Sequence, residues 1–367
     1  MDDIKFMKRA LELAKKGVGF VNPNPLVGAV IVKAGKVIGE GYHQAYGEAH
    51  AEVNAFASLD VSPVGATLYV TLEPCSHHGK TPPCVDAVIN SGVTRVVVGS
   101  LDPNPLVAGR SIAKMREAGL EVEMGVQKEA CDALNAVFFH YITKKTPYVV
   151  MKYAMTADGK IATHTGASRW ITGESARKNA HEDRNRYRGI MVGVGTVIAD
   201  DPMLSCRMKG GRNPIRIICD STLRTPLTSR IIETACSIQT ILITGCTDKT
   251  KHQLYVDRGC QVVTVPLKDG RLDLQAVMKT LANFEIDSIL LEGGAALNAS
   301  ALEAGIVNKV QAYLAPKLFG GATAPSPVAG TGVAHPSEAY QLKNRNMTIL
   351  GEDILIEGEV VTCSQEL

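Results

Sequence analysis

Residues 50–84 open with His50-Ala51-Glu52, pass through a short helical run, reach Glu73-Pro74-Cys75 and close with Pro82-Pro83-Cys84. One imidazole and two thiolates are ligands that Zn²⁺ accepts, and three protein ligands leave one corner of its tetrahedron open. Pro82-Pro83 favours a helix start at Cys84, where the positive helix end stabilises a thiolate. Ala49-His50-Ala51-Glu52 reads as another first helical turn, and Thr67–Thr71 as a strand that ends in the Cys75 loop. Strand, ligand-bearing loop and helix in that order point to an α/β sheet with its functional loops at strand C-termini.

Glu52 stands two residues beyond His50, near enough to serve a metal-held water without ligating. A His-x-Glu followed by two cysteines, with the carboxylate as proton shuttle, is the parts list of a zinc-dependent deaminase of amino-bearing pyrimidines or purines. The usual Pro-Cys-x-x-Cys half is stretched here, with eight residues between Cys75 and Cys84. The competing reading is a closed structural zinc site completed by His77 or His78. That reading leaves Glu52 without a task.

The flanks extend the alternation. A helical period over Ile4–Ala14 is followed by the break Asn22-Pro23-Asn24-Pro25. A strand at Val27–Val32 turns at Ala34-Gly35 into a second at Lys36–Glu40. Helices from Pro83 and Gly109, strands at Arg95–Val98 and Leu120–Met124, and one helix from Lys128 to His140 complete the first half. Periodicity resets at Lys144-Lys145-Thr146-Pro147, so domains of 1–145 and 146–367 are expected. The second half again alternates, with strands expected at Tyr148–Met155, Gly189–Val194, Ile215–Cys219, Thr240–Thr244, Val262–Val265, Ser288–Leu291, Lys309–Leu314 and Asp353–Glu359. It lacks a Gly-x-Gly-x-x-Gly fingerprint and a Walker loop. Glu292-Gly293-Gly294 and Gly193-x-Gly195-Thr196 each follow a strand and are either phosphate-facing turns or plain strand-to-helix turns.

At 367 residues the chain suffices for two cored domains. A net charge of +2 and 5% aromatic residues argue against a nucleic-acid partner, which would ask for a basic face and stacking groups. No apolar run of membrane-spanning length occurs. Nine scattered cysteines and no leader segment point to reduced thiols and a cytoplasmic location. A non-enzymatic zinc-stabilised binding module is the remaining rival.

Several segments are familiar. Asn22-Pro-Asn-Pro-Leu-Val-Gly28, His50-Ala-Glu52, the stretch Glu73 to Cys84 with its long cysteine spacing, and Asp102-Pro-Asn-Pro-Leu-Val-Ala-Gly109 stand in the first half. Asp158-Gly-Lys160, Trp170-Ile-Thr172, Val192 to Thr196, Asp200-Asp-Pro202 and Glu292-Gly-Gly294 stand in the second. Over essentially the whole chain this resembles the bifunctional riboflavin-biosynthesis deaminase/reductases. The resemblance implies a cytidine-deaminase-like three-layer N-terminal domain and a dihydrofolate-reductase-like C-terminal α/β domain. It implies one Zn²⁺ on His50, Cys75 and Cys84, Glu52 as the catalytic acid–base, and NADPH in the second domain. The substrate would be a small phosphorylated pyrimidine, met in the first domain by Asn24, with His43 and Lys80 at its 5′-phosphate. Ala154, Trp170, Thr196, Asp200, Ser221 and the run Gly294, Ala295, Ala296, Leu297, Asn298, Ala299 and Ser300 would surround NADPH. Ser168, Arg184, Leu204, Arg207 and Glu292 would face the second substrate, its phosphate suiting the two arginines, with Lys152 lining the same site. Asp200 is the acid to test. Plain core is the lesser alternative for Trp170, and a homo-oligomer is expected.

Overall fold

In the computed structural model, residues 2–76, 83–104 and 107–361 are described. The chain divides into two compact units, Met1–Lys145 and Thr146–Leu367.

The first unit contains α1 (Asp3–Ala14), β1 (Gly28–Lys33), β2 (Lys36–Tyr42), α2 (Ala51–Ala57), β3 (Thr67–Leu72), α3 (Cys84–Asn90), β4 (Arg95–Ser100), α4 (Arg110–Glu117), β5 (Glu121–Met124), α5 (Lys128–Leu134) and α6 (Ala136–Lys144). The sheet order is β2-β1-β3-β4-β5. β1 pairs antiparallel with both β2 and β3, and β3-β4-β5 are parallel. Alternate residues of the central strands supply two separate cores, as the two-residue period of a strand dictates. Ala29, Ile31, Leu68, Val70, Val96 and Val98 pack with Ala51, Ala55, Val85, Val88, Ile112 and Met115 of α2–α4. Val30, Val32, Tyr69 and Val97 pack with Phe6, Met7, Ala10 and Leu11 of α1 and Cys131 of α5. This is a three-layer α/β/α unit.

Two glycines set the layer spacing. A Cβ on Gly28 would lie 2.0 Å from Ala10 O, and one on Gly41 2.3 Å from Ala55 N and 2.4 Å from Ala51 O. Helix backbone therefore rests directly on strand backbone, which only glycine permits. One expected helix is two: it breaks at Asn135, whose side chain is drawn out of the helix to bond Leu26.

The second unit contains β6 (Tyr148–Thr156), α7 (Glu174–Arg186), β7 (Gly189–Gly193), α8 (Val194–Asp200), β8 (Ile215–Cys219), α9 (Arg230–Glu233), β9 (Thr240–Thr244), α10 (Lys249–Val256), β10 (Gln261–Thr264), β11 (Leu267–Lys268), β12 (Arg271–Leu272), α11 (Leu274–Ala282), β13 (Ser288–Leu291), α12 (Ala295–Glu303), β14 (Lys309–Ala315), β15 (Gln341–Leu350) and β16 (Asp353–Val361). Its main sheet runs β10-β9-β8-β7-β13-β6-β14-β16-β15. Strands β10 through β14 in that order are parallel, and β16 and β15 add antiparallel at one edge. The chain lays β7 to β10 outward, then returns to insert β13 between β6 and β7. At such a reversal the C-terminal strand ends leave a crevice. Again two cores alternate, one with α11 and α12, the other with α8, α9 and α10.

Strand β15 is missing from the sequence expectation because its residues alternate with nothing: most are exposed, and Met347 and Ile349 are 68% and 78% exposed. Among the described residues no helix is long and apolar enough to cross a membrane.

Candidate active sites in the two units

In the first unit, His50 caps α2 with extended φ/ψ of −73°/167°, and Glu52 sits in the helix's first turn. The bend at the cap lets positions i and i+2, which diverge inside a helix, serve one site. Cys75 leaves the C-terminal end of β3, and Cys84 is the first residue of α3. His50 Nδ1 lies 3.1 Å from Cys84 Sγ and 3.6 Å from Cys75 Sγ, and Cys84 N–H donates to Cys75 Sγ at 3.3 Å. The three ligand atoms lie within 4.8 Å of one another.

Contacts with Cys84 and His50 pull the Cys75 thiol down to about 4, while its contact with Cys75 and burial push Cys84 up. One thiolate forms readily, and a second beside it needs a cation in place of the shared proton. The donor set thus fits Zn²⁺.

Glu52 is buried, 3% exposed, and burial raises its carboxyl to about 7. A carboxyl that ionises near neutrality is matched to giving and taking protons. Around these groups lies a cleft of about 340 Å³ lined by Asn24, His43, Tyr46, Glu52, Asn104 and Phe138, among others.

His43, expected at the substrate phosphate, lines the cleft. It is 2% exposed, and burial lowers its pKa, which favours the neutral imidazole. Its Nδ1–H donates to Ala49 O at 3.1 Å, and Nε2 then accepts from Asn24 Nδ2 at 3.1 Å. That contact fixes the Asn24 amide. Lys80 lies outside the described residues, as do His77 and His78.

Asp102, Asn104, Tyr46, Phe138 and Ile142 also line the cleft and were not anticipated. A signal for Asn104 was present: Pro-Asn-Pro-Leu-Val occurs at 23–27 and again at 103–107, and the asparagine of each copy reaches the cleft. Glu73 holds the second copy, with Oε2 accepting from Gly109 N at 3.0 Å and Asp102 N at 3.3 Å, and Oε1 from Ser111 Oγ.

In the second unit, α8 and α12 follow the adjacent strands β7 and β13, and both are capped by glycine without a side-chain acceptor. A Cβ on Gly294 would lie 3.3 Å from Thr196 Oγ1, so the two helix starts stand side by side. Their N–H groups suit a pyrophosphate, which is the fit a dinucleotide requires. Of the run Gly294–Ser300, Asn298 and Ala299 are buried, Asn298 Nδ2 donating to Pro327 O at 2.9 Å. Trp170 is 61% exposed with the Arg177 guanidinium 4.5 Å from its ring centroid, so the core reading of Trp170 fails.

Glu292 accepts two bonds from Arg184, Nε at 2.9 Å and Nη2 at 2.8 Å. Burial would raise Glu292, but Arg184 and Lys152 outweigh it and bring the carboxyl to about 2. Lys152 Nζ also lies 5.4 Å from the Tyr313 ring centroid. Arg184 further donates to Ser205 O at 3.1 Å. Arg184 is therefore already neutralised. Of the two arginines expected at a phosphate, Arg207 is the exposed one, donating through Nε to His181 at 3.0 Å. The Leu204 side chain packs in the core at φ +49°, which leaves its main chain as the part that could face a substrate. Asp200 accepts from Ser168 Oγ at 3.2 Å, Ala154 lies half-buried in β6, and Ser221 O accepts from Gly245 N at 3.1 Å.

The comparisons with known proteins agree over both units. Residues 1–100 match the cytidine and deoxycytidylate deaminase zinc-binding region, and residues 147–356 match the RibD C-terminal domain. The chain is 52% identical over 362 residues to the riboflavin biosynthesis protein RibD of Actinobacillus pleuropneumoniae, covering 99% of this chain and 96% of that one. It is 38% identical to RibD of Escherichia coli K12, covering 97% and 99%. Its structure is similar to that of a diaminohydroxyphosphoribosylaminopyrimidine deaminase/5-amino-6-(5-phosphoribosylamino)uracil reductase from Thermotoga maritima. There the identity is 39%, the TM-score 0.86, and the coverage 98% and 99%. Acinetobacter baumannii RibD gives 34% identity and a TM-score of 0.87, with the same coverage.

Proposed function

Because this chain belongs to the riboflavin-biosynthesis RibD family of bifunctional deaminase/reductases, we propose that it carries out two successive reactions on one phosphorylated pyrimidine. Residues 1–145 hydrolyse the C2 amino group of 2,5-diamino-6-ribosylamino-4(3H)-pyrimidinone 5′-phosphate, releasing ammonia. Residues 146–367 then reduce the ribosyl side chain to ribityl, giving 5-amino-6-ribitylaminouracil 5′-phosphate.

One observation carries the first assignment: His50, Cys75 and Cys84 converge beside a buried carboxyl, Glu52, raised to about 7. Zn²⁺, when bound, supplies the Lewis acidity that makes water nucleophilic near neutral pH. Glu52 takes the proton released, hands it to the ring nitrogen, and returns one to the departing ammonia. Asn24, its amide fixed by His43, and Asn104 offer hydrogen bonds to the pyrimidine edge, while Phe138 and Tyr46 furnish apolar wall. Lys80 is assigned to the 5′-phosphate by its charge.

In the second unit NADPH supplies the hydride. The paired starts of α8 and α12 hold its phosphates, with Thr196 and Gly294 at the closest approach, and Ala154, Trp170, Asp200 and Ser221 complete the cofactor cleft. Arg207 meets the substrate phosphate. Glu292, kept anionic by Arg184 and Lys152, offers an acceptor to substrate hydroxyls, and Ser168 orients Asp200.

Glu52→Gln tests the deaminase assignment. Ammonia release should fall by about 10²- to 10⁴-fold, with zinc retained and NADPH oxidation on the deaminated substrate unchanged. Ammonia release at the wild-type rate would overturn it.

A further inference from the structure

Asn135 is 2% exposed and does not line the deaminase cleft, yet both walls of the cleft converge on it. Its Oδ1 accepts from Leu26 N–H at 2.8 Å and its Nδ2 donates to Leu26 O at 2.9 Å. An asparagine side chain thus takes both main-chain groups of one residue, as a neighbouring strand would, across 109 positions of sequence. The pairing also fixes the Asn135 amide, since a carbonyl can only accept and an N–H only donate. Leu26 lies between Asn24, Pro25 and Val27, all of which line the cleft.

The second wall starts at the same residue. Asn135 closes α5 and opens α6 with φ/ψ of −106°/17°, and its own carbonyl accepts from Phe139 N at 2.9 Å. Three and seven residues on, Phe138 and Ile142 present one face of α6 to the cleft, as their four-residue separation allows.

We infer that Asn135 is a positioning residue for the deamination: it sets the separation between the Asn24 wall and the Phe138/Ile142 wall, and with it the fit of the pyrimidine ring. Buried polar groups left without partners do not stay in place. Losing the amide would loosen the 24–27 stretch between its remaining anchors on His43 and change the aim of α6, while His50 and Glu52 at the start of α2, Cys75 after β3 and Cys84 at the start of α3 keep their own supports. The effect therefore falls on substrate binding more than on the chemical step, since a misplaced recognition wall weakens binding that the ground and transition states share.

The inference rests on the deaminase reading above, and the experiment separates the two. Asn135→Ala and Asn135→Asp are assayed in the full-length zinc-loaded protein for ammonia release, zinc content and NADPH oxidation. The aspartate keeps the size and the acceptor but turns a second oxygen toward Leu26 O, so it serves if the alanine variant does not fold. Expected is a rise of about tenfold or more in the deaminase KM, with kcat within about threefold. Zinc content and reductase kinetics should match wild type. An unchanged KM, a loss confined to kcat, or parallel loss of zinc and reductase activity overturns the inference. If Glu52→Gln is inactive while these variants behave as wild type, only the present inference fails; if Glu52→Gln is fully active, the deaminase reading fails first.

Discussion

Replacing Glu292 by Gln breaks a buried ion pair, and its cost can be worked out in two ways. The side chains of Arg184 and Glu292 are 16% and 11% exposed. Removing one partner of a buried pair costs about 3–5 kcal/mol, because the other charge stays buried and uncompensated. Linkage gives an independent figure. A carboxyl held at about 2 in the folded unit against its ordinary value of 4.5 contributes about 3 kcal/mol at neutral pH. The sign follows from the direction of the shift. A depressed folded pKa means the stabilisation is complete above 4.5 and is lost as pH falls from there through about 2. At pH 3, between the two values, less than half of it remains. The only tryptophan, Trp170, lies in this unit, so its fluorescence reports this unit's unfolding. Glu292→Gln should lower the melting temperature by about 6–12 °C at pH 7, and the gap should shrink by more than half at pH 3. A gap below about 1 kcal/mol at pH 7, or one of equal size at both pH values, would refute the account of Glu292 as an anion stabilised by Arg184 and Lys152.

Two further perturbations probe the first unit. Gly41→Ala places a methyl about 2.3 Å from Ala55 N, which α2 can relieve only by moving with Glu52 on it. Such overpacking costs about 1–3 kcal/mol. Deaminase kcat/KM should fall by about tenfold or more with reductase kinetics unchanged, and wild-type deaminase kinetics would show that α2 does not set the Glu52 position. Stripping the metal with a strong chelator should abolish ammonia release, make Cys75 and Cys84 titratable by a thiol reagent, and leave NADPH oxidation intact. Readdition of Zn²⁺ should restore the release, and activity surviving without metal would refute the metal assignment.

Local signals made much of the architecture legible. The short, nearly continuous apolar runs at Thr67–Thr71, Arg95–Val98, Ile215–Cys219 and Ser288–Leu291 mark strands buried on both faces, and their length and β-branched content make them legible as strands. Strand β15 lacked that signal because, as an exposed edge strand, its residues are selected by solvent on both sides. The break between α5 and α6 was invisible because its cause, Leu26, is distant in sequence.

The sites divide the same way. Sequence alone singled out His50, Cys75 and Cys84 as a candidate metal set with the carboxylate Glu52 beside it, because their chemistry and spacing are properties of the residues themselves. Tertiary structure decided what burial and neighbours impose. Desolvation lowers the pKa of His43 where it supports Asn24, and Arg184 stands paired with Glu292. Leu204 turned its side chain into the core, and Asn104, Phe138 and Ile142 were gathered into one cleft with Glu52 from two separate segments. Charge state and proximity depend on where the chain brings a residue, and a linear sequence does not contain that distance.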